Sequence, residues 1–474
     1  MTSRRAFIGG SLGAGLAVAG GAAFRASAVT EEHSSGGAGH GHVHSVTAIT
    51  QVYGDGQKFV AVAVEYDRDI SDAQLSTSAY KVDSRTITKV YANRTAGLAD
   101  HGRDGRFVVI ELSTADAGAA LWGGQAGGGG GAGSPSASPS VTASASPTAS
   151  PSATAEPSPS SSTGGTQSGG PTILTASATL TQVGAVHTTD GHNYAASSTT
   201  LTTDKVVNLI VDEFRQFTFD DPKTGQTLEY NLFVPRDYDP HKRYPLVLFM
   251  HDASVVGAPV LGPLVQGLGA VCWAAPEDQA RRECFVLAPQ YQSVVVEDDY
   301  NPTALFDATI NLVEDITAKY GIDAKRRYTT GQSMGAMMSL GFGIRYTDVF
   351  AALFVVAGQW PAEQAAPLAT KKMWVHVSEG DTKAFPGENA IMQVVKAEGT
   401  KVATASGWDA QSTQGEFAAA VRAVEAQKAP VQYTTFLKGT VAGSSGDAGS
   451  EHMGTWKYAY TIPGMREWVF RQSL

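Results

Sequence analysis

The sequence predicts an α/β domain built on a mostly parallel sheet and preceded by a small all-β sandwich. Three observations carry this. Residues 45–121 hold short runs rich in Val, Thr, Ile and Tyr, separated by turn residues. From about Phe217 onward, apolar strand-like runs alternate with helix-like ones, the pattern of a sheet whose connections cross over through helices. Between these regions, residues 123–171 are nearly all Gly, Ser, Pro, Ala and Thr, with Glu156 as the one charge and no aromatic. Such a tract cannot bury enough apolar surface to offset its ordering entropy and is expected to be disordered.

At 474 residues the chain has room for one to three domains, and 42% hydrophobic residues can form a sizeable core. The net charge of −10 argues against a nucleic-acid partner, which would need a basic face to neutralise phosphates. Two cysteines make neither a disulfide scaffold nor a zinc pattern, so no metal site is expected. Outside the N-terminus no apolar run is long enough to span a bilayer.

The elements follow in order. Ser3-Arg4-Arg5-Ala6-Phe7-Ile8 is a twin-arginine signature, followed by a Gly/Ala-rich run and the small-residue site Ala26-Ser27-Ala28. Residues 1–28 therefore read as a Tat signal peptide, which makes the mature protein secreted or extracytoplasmic. Residues 29–44 carry His33, His40, His42 and His44 among glycines and read as a disordered leader, since no carboxylate or cysteine is fixed beside the histidines. Residues 45–216 are the β-domain. Because Thr172–Gly184 and Lys205–Phe219 look like further strands, the tract at 123–171 is expected to be an insertion within that domain rather than a linker. Loop-closure entropy grows only logarithmically with length, so such an insertion is tolerable.

Residues 217–474 form the α/β domain. Tyr244–Met250 is almost wholly apolar, as a strand covered on both faces should be. Arg327–Thr330 is a short strand and Met334–Ile344 a helix. Between them stands Gly331-Gln332-Ser333-Met334-Gly335, a G-x-S-x-G pentapeptide in the strand-turn-helix context of a nucleophile elbow. A serine hydroxyl needs a base at neutral pH. Only His376 and His452 follow Ser333. His376 lies in the apolar run Met373–Val377 and reads as a core residue. His452 lies in Gly449–Gly454, expected to be a loop after the last strand, where the base belongs. Asp381, in the turn after Trp374–Val377, is the expected acid, with Glu379 as runner-up. The oxyanion hole needs two backbone donors. The residue after the nucleophile, Met334, supplies one, and Ala253, in the loop after Tyr244–Met250, is expected to supply the other.

With these residues in view, the stretch from Thr227 to the C-terminus resembles the secreted α/β-hydrolase esterases grouped with polyhydroxybutyrate-depolymerase-like and "predicted peptidase" proteins. The marks are Leu228–Pro235, Tyr244–His251, Phe285–Gln290, Gly331–Gly335, and His452 with Trp456 four residues on. Thr86–Tyr91 and Asn208–Asp212 are similar to strands of the immunoglobulin-like domain that precedes such esterases in one subfamily. The resemblance implies an α/β hydrolase preceded by an immunoglobulin-like sandwich. Two departures stand out. His251-Asp252 replaces the usual His-Gly, setting an acidic side chain where glycine allows close approach. It narrows the pocket and disfavours an oxyanion, or it hydrogen-bonds its own loop. Ala336-Met337 follows Gly335 where relatives have another glycine.

The expected activity is hydrolysis of a small-molecule or polymeric carboxylic ester through Ser333, His452 and Asp381, with no cofactor. A serine peptidase, or a non-catalytic binding protein on the same scaffold, are the competing readings. Trp360 and Asp252 are candidates for substrate contact, Trp273 and Tyr291 for pocket walls, and the β-domain for contact in a homo-oligomer. Cys272 and Cys284, flanking one short loop of an exported chain, are candidates for a disulfide.

Overall fold

The computed structural model describes residues 41–123, 171–442 and 447–474. The expected signal peptide, residues 29–40 of the expected leader and nearly all of the 123–171 tract lie outside the described residues.

The first part of the chain is a β-sandwich. Its larger sheet has five strands in the order Lys205–Asn208, Val43–Tyr53, Gly56–Ile70, Gly105–Leu112 and Ile87–Asn93. The first pair is parallel and the others are antiparallel. A three-stranded sheet, Thr200–Thr202, Thr179–Gln182 and Tyr80–Val82, packs against it. Alternation along Gly56–Ile70 explains the layering. Val62 and Val64 enter the inter-sheet core with Leu180 and Leu201, while Ala61 and Ala63 face the opposite side with Ile49 and Val109. The sheet begins at Val43, so the last residues of the expected leader are structural. The His42 ring stacks on Tyr194, with centroids 4.1 Å apart, and its Nδ1 lies 3.0 Å from the Asp67 carboxylate. Trp122–Gly123 pairs antiparallel with Thr172–Ile173, so the chain leaves for the tract and returns from it side by side.

The second part is built on a nine-stranded sheet. Its order is Phe214–Asp220, Thr227–Phe233, Phe285–Gln290, Tyr244–Met250, Ile322–Gln332, Ala352–Val356, Met373–Ser378, Val431–Phe436 and Val402–Trp408. The first two strands pair antiparallel with their neighbours and the remaining seven run parallel. The segment Lys205–Phe219, expected to belong to the sandwich as far as residue 216, is divided. Lys205–Asn208 pairs in the sandwich and Phe214–Asp220 begins the large sheet, so the passage between them precedes residue 216. Every residue of Tyr244–Met250 is buried, each large apolar side chain contributing roughly 1.5–3 kcal/mol. The strand Val402–Trp408 and the helix Gln414–Glu425 were not expected from the sequence.

The two parts touch through the turn joining Val43–Tyr53 to Gly56–Ile70. A Cβ on Gly54 would stand 2.2 Å from the Lys457 carbonyl oxygen, so only glycine fits there. Asp55 pairs with the Lys457 ammonium at 3.6 Å. Val52 joins the core of the α/β part, and Trp122 and Ile173 pack on that core.

Candidate active site

Ser333 closes the strand Ile322–Gln332 and opens the helix Met334–Arg345, with φ 50° and ψ −116°. A non-glycine residue in that region is strained, and such strain collects at functional sites. The flanking glycines make the turn possible. A Cβ on Gly331 would stand 2.4 Å from the Gly335 carbonyl carbon, and one on Gly335 would stand 2.0 Å from the Met250 oxygen. Strand, helix and the neighbouring strand thus meet at backbone contact. Ala336, where a further glycine was expected, is accommodated by Gly358, whose added Cβ would lie 2.5 Å from the Ala336 methyl.

His452 lies on the helix Ala448–Ala459, not in the loop expected. Asp447 caps the helix by accepting the Ser450 amide at 2.8 Å, an interaction typically worth ~1 kcal/mol. Gly454 lets the helix lie close on the chain at Val441, whose oxygen would be 2.5 Å from an added Cβ. His452 Nε2 is 2.8 Å from the Ser333 hydroxyl oxygen, and Nδ1 is 2.5 Å from Asp381 Oδ2. The Trp456 ring meets the imidazole edge to face at 5.1 Å.

Asp381 is buried in the turn after Met373–Ser378. Its Oδ1 accepts the amides of Lys383 at 3.0 Å and Ala384 at 2.8 Å, leaving Oδ2 for the histidine. Burial pushes this carboxyl up, but the bonds and charge from His452 and the two amides outweigh it and hold the group below the usual carboxylate range. Glu379, the runner-up, instead accepts the Thr435 hydroxyl at 2.7 Å.

Met334 occupies the first helical position and Ala253 the first position of the short turn Ala253–Val255. Amides at such positions have no intrahelical acceptor and are free to bind an anion. Asp252, between His251 and Ala253, takes the second of the two courses open to it. Its Oδ1 accepts the Ser254 amide at 2.9 Å, and Oδ2 accepts Gln332 Nε2 at 2.8 Å. It is therefore engaged with its own loop and the strand that leads to Ser333, which argues against a substrate contact. His251 is fully buried, with Nδ1 2.7 Å from the Asp252 oxygen and Nε2 accepting the Tyr291 amide at 3.1 Å.

Other expectations are corrected. Trp360 is only 2% exposed and packs on Tyr300 and over Gly341, so it is a core residue rather than a substrate contact. Trp273 and Tyr291 are buried likewise. Cys272 and Cys284 are both free and buried. Cys272 sits on the helix Leu268–Ala274 facing the Gly269 carbonyl, while Cys284 faces the Trp273 carbonyl and Gln279. His376 is a core residue as read, with Nδ1 2.7 Å from the Thr434 hydroxyl and its ring against Phe436, and burial pushes its pKa down to about 3.

Two buried carboxyls beside the site escaped the sequence reading. Glu451 accepts the Ser378 hydroxyl and, at 2.6 Å, the Gly439 amide. Its signal was its place next to the candidate base. Glu388, on the helix Ala384–Ala397, accepts the Gly358 amide at 3.0 Å, and burial raises it far above the usual carboxyl range. Nothing local in the sequence marks it. Among the described residues no cluster of His, Cys, Asp and Glu is arranged to hold a metal, and no helix is long and apolar enough to cross a membrane.

Residues 45–195 match the family model described as the esterase Ig-like N-terminal domain. A crystal structure of a thermostable esterase aligns with 91% of this chain and 100% of its own, at 27% identity and a TM-score of 0.70. A feruloyl esterase module from Clostridium thermocellum, complexed with sinapinate, aligns with 51% of this chain and 88% of its own, at 16% identity and a TM-score of 0.36. No curated protein matches the sequence.

Proposed function

We propose that this chain, an α/β hydrolase with an esterase-type immunoglobulin-like N-terminal domain, is an exported serine esterase acting on carboxylic esters through Ser333, His452 and Asp381. The observation that carries this reading is the unbroken hydrogen-bond line from the Ser333 hydroxyl to His452 at 2.8 Å and on to Asp381 at 2.5 Å.

The Ser333 oxygen attacks the acyl carbon while its proton passes to His452 Nε2. Asp381 accepts the Nδ1 hydrogen, fixes the tautomer and stabilises the imidazolium. The oxyanion forms between the Met334 and Ala253 amides, where preorganised donors favour the charge-separated transition state. His452 then gives its proton to the departing alcohol. Water, deprotonated by the same imidazole, releases the acid and restores Ser333. Export rests on the twin-arginine sequence Ser3–Ile8 and the site Ala26–Ala28.

Purified mature protein, assayed on short p-nitrophenyl esters, feruloyl and acetylated sugar esters, polyesters and peptide amides, tests the reading. Ester turnover with little or no amide cleavage is expected. Amide cleavage exceeding ester cleavage would make the protein a peptidase, and absence of any turnover together with no fluorophosphonate labelling would make it a binding protein.

A further inference from the structure

We propose that Asp252 is a positioning residue that fixes the oxyanion loop to the nucleophile strand through Gln332. This rests on the serine-esterase reading and assigns a role to the residue at which the chain departs from the His-Gly pattern of its relatives.

The Asp252 carboxylate is almost completely engaged. Oδ1 takes both the amide and the hydroxyl of Ser254, which sets the turn Ala253–Val255. Oδ2 takes Gln332 Nε2 at 2.8 Å. Gln332 is the last residue of the nucleophile strand and directly precedes Ser333. One side chain therefore ties the residue before the nucleophile to the loop holding the second oxyanion donor. The backbone of Asp252 is held as well, because its carbonyl faces His251 Nδ1 at 2.7 Å. Asp252 is 5% and Gln332 1% exposed, so water does not compete strongly for these bonds.

The direction of the network is fixed by donor counting. Gln332 Nε2 has two hydrogens. One goes to Asp252, and the other goes to Gln266 Oε1 at 3.0 Å. That forces the Gln266 amide to turn its own nitrogen elsewhere, and Gln266 Nε2 is buried without a partner. A buried donor left unsatisfied is unfavourable and calls for a reason. Here the reason is that the carboxylate of Asp252 dictates the orientation of both glutamines. Its lone pairs are directed to Ser254 and Gln332, so its charge is neutralised by donors on the loop and strand rather than left facing the developing oxyanion.

The substitutions Asp252→Ala, Asp252→Asn, Gln332→Met and the double Asp252→Ala/Gln332→Met test this, with Ser333→Ala as control and thermal unfolding to verify the fold. Asp252→Ala is expected to lower kcat on a p-nitrophenyl ester by about 10- to 100-fold, below the 10²–10³ of a lost oxyanion donor, with KM within about threefold. Inhibition by a boronic acid that mimics the tetrahedral intermediate should weaken in parallel with kcat/KM. Asp252→Asn is expected to recover most of the loss. Its oxygen still serves Ser254, and turning over both glutamine amides gives its nitrogen an acceptor. Gln332→Met should reproduce much of the alanine effect, and the double variant should lose little more than the worse single, as coupled residues do. Unchanged or raised kcat in folded Asp252→Ala, or fully additive losses, would overturn the proposal. Should Asp252→Ala not fold, Gln332→Met carries the same test: wild-type kcat and inhibitor affinity in it would overturn the proposal. Turnover by Ser333→Ala at the wild-type rate would instead remove the esterase reading and the proposal with it.

Discussion

Glu451, the residue before the candidate base, accepts the hydroxyl hydrogen of Ser378, the last residue of the strand that leads to the candidate acid. Its other oxygen takes the Gly439 amide at 2.6 Å, and a Cβ on Gly380 would stand 2.3 Å from its carboxyl carbon. The helix carrying His452 and the turn carrying Asp381 are thus joined by a buried carboxylate packed on a glycine. Glu451→Ala should leave the buried Ser378 hydroxyl without its acceptor, costing roughly 1–3 kcal/mol, and should also remove the acceptor of the Gly439 amide. The expected result is a clear fall in thermal midpoint together with a loss of kcat of about tenfold or more, measured by calorimetry and ester turnover. Unchanged stability would show that the carboxylate is not structural.

Asp381→Asn should reduce kcat by about 10⁴, the scale seen when a triad carboxylate becomes an amide, without loss of fold. Glu379→Gln should stay near wild type, because Glu379 serves Thr435 rather than His452. Steady-state kinetics on both variants check the assignment, and the reverse ranking would transfer the acid role to Glu379.

Glu388 offers a pH test. Burial raises its carboxyl far above the ordinary value, with Asp381 adding to the effect, while the Gly358 amide opposes it. In the folded protein it holds its proton to higher pH than in the unfolded chain. Its contribution to stability is therefore fully present below the ordinary carboxyl pKa of ~4.3 and declines as pH rises toward the folded value. Glu388→Gln keeps the acceptor for Gly358 and cannot ionise. Its denaturation midpoint in urea should gain on wild type progressively from pH 5 to pH 8. A constant difference across that range would contradict the assignment.

How much of this was legible in the sequence depends on how local each signal is. The elbow was, because the Gly331 and Gly335 spacing and the flanking strand and helix all lie within one short segment. The place of the candidate acid was, because Asp381 stands in the turn after a buried apolar strand. The helix around His452 was not. Gly449 and Gly454 weaken it locally, and it is secured by the Asp447 cap and close packing on Val441. The helix Gln414–Glu425 could have been found from its capping box, Thr413 with Glu416. The edge strand Val402–Trp408 has Ala, Ser and Gly where β-branched residues would signal a strand, and it forms by pairing along Val431–Phe436. The direction of the Asp252 side chain was open, since both courses suit a turn aspartate. Its bonds to Ser254 in its own loop and to the distant Gln332 decide between them. Cys272 and Cys284 lie close in sequence, yet each thiol faces a backbone carbonyl instead of the other sulfur.

Excision of residues 124–170, with Gly123 and Thr172 rejoined through Pro171 and a short Gly-Ser bridge, should leave kcat/KM within about threefold of wild type. These two residues already face each other across an antiparallel pair, and the removed segment has no acid-base group except Glu156. Ester kinetics and thermal unfolding of the excised chain check this. A large loss of activity at unchanged stability would mean the tract takes part in the site.

The most direct test of the serine-hydrolase mechanism is covalent labelling of the native protein with a fluorophosphonate, read by intact mass and peptide mapping, alongside ester turnover by pure Ser333→Ala. One adduct per chain on the peptide containing Gly331–Gly335, absent in Ser333→Ala, and loss of essentially all turnover in that variant is the expected result. Labelling at another residue, or wild-type turnover in Ser333→Ala, would contradict it.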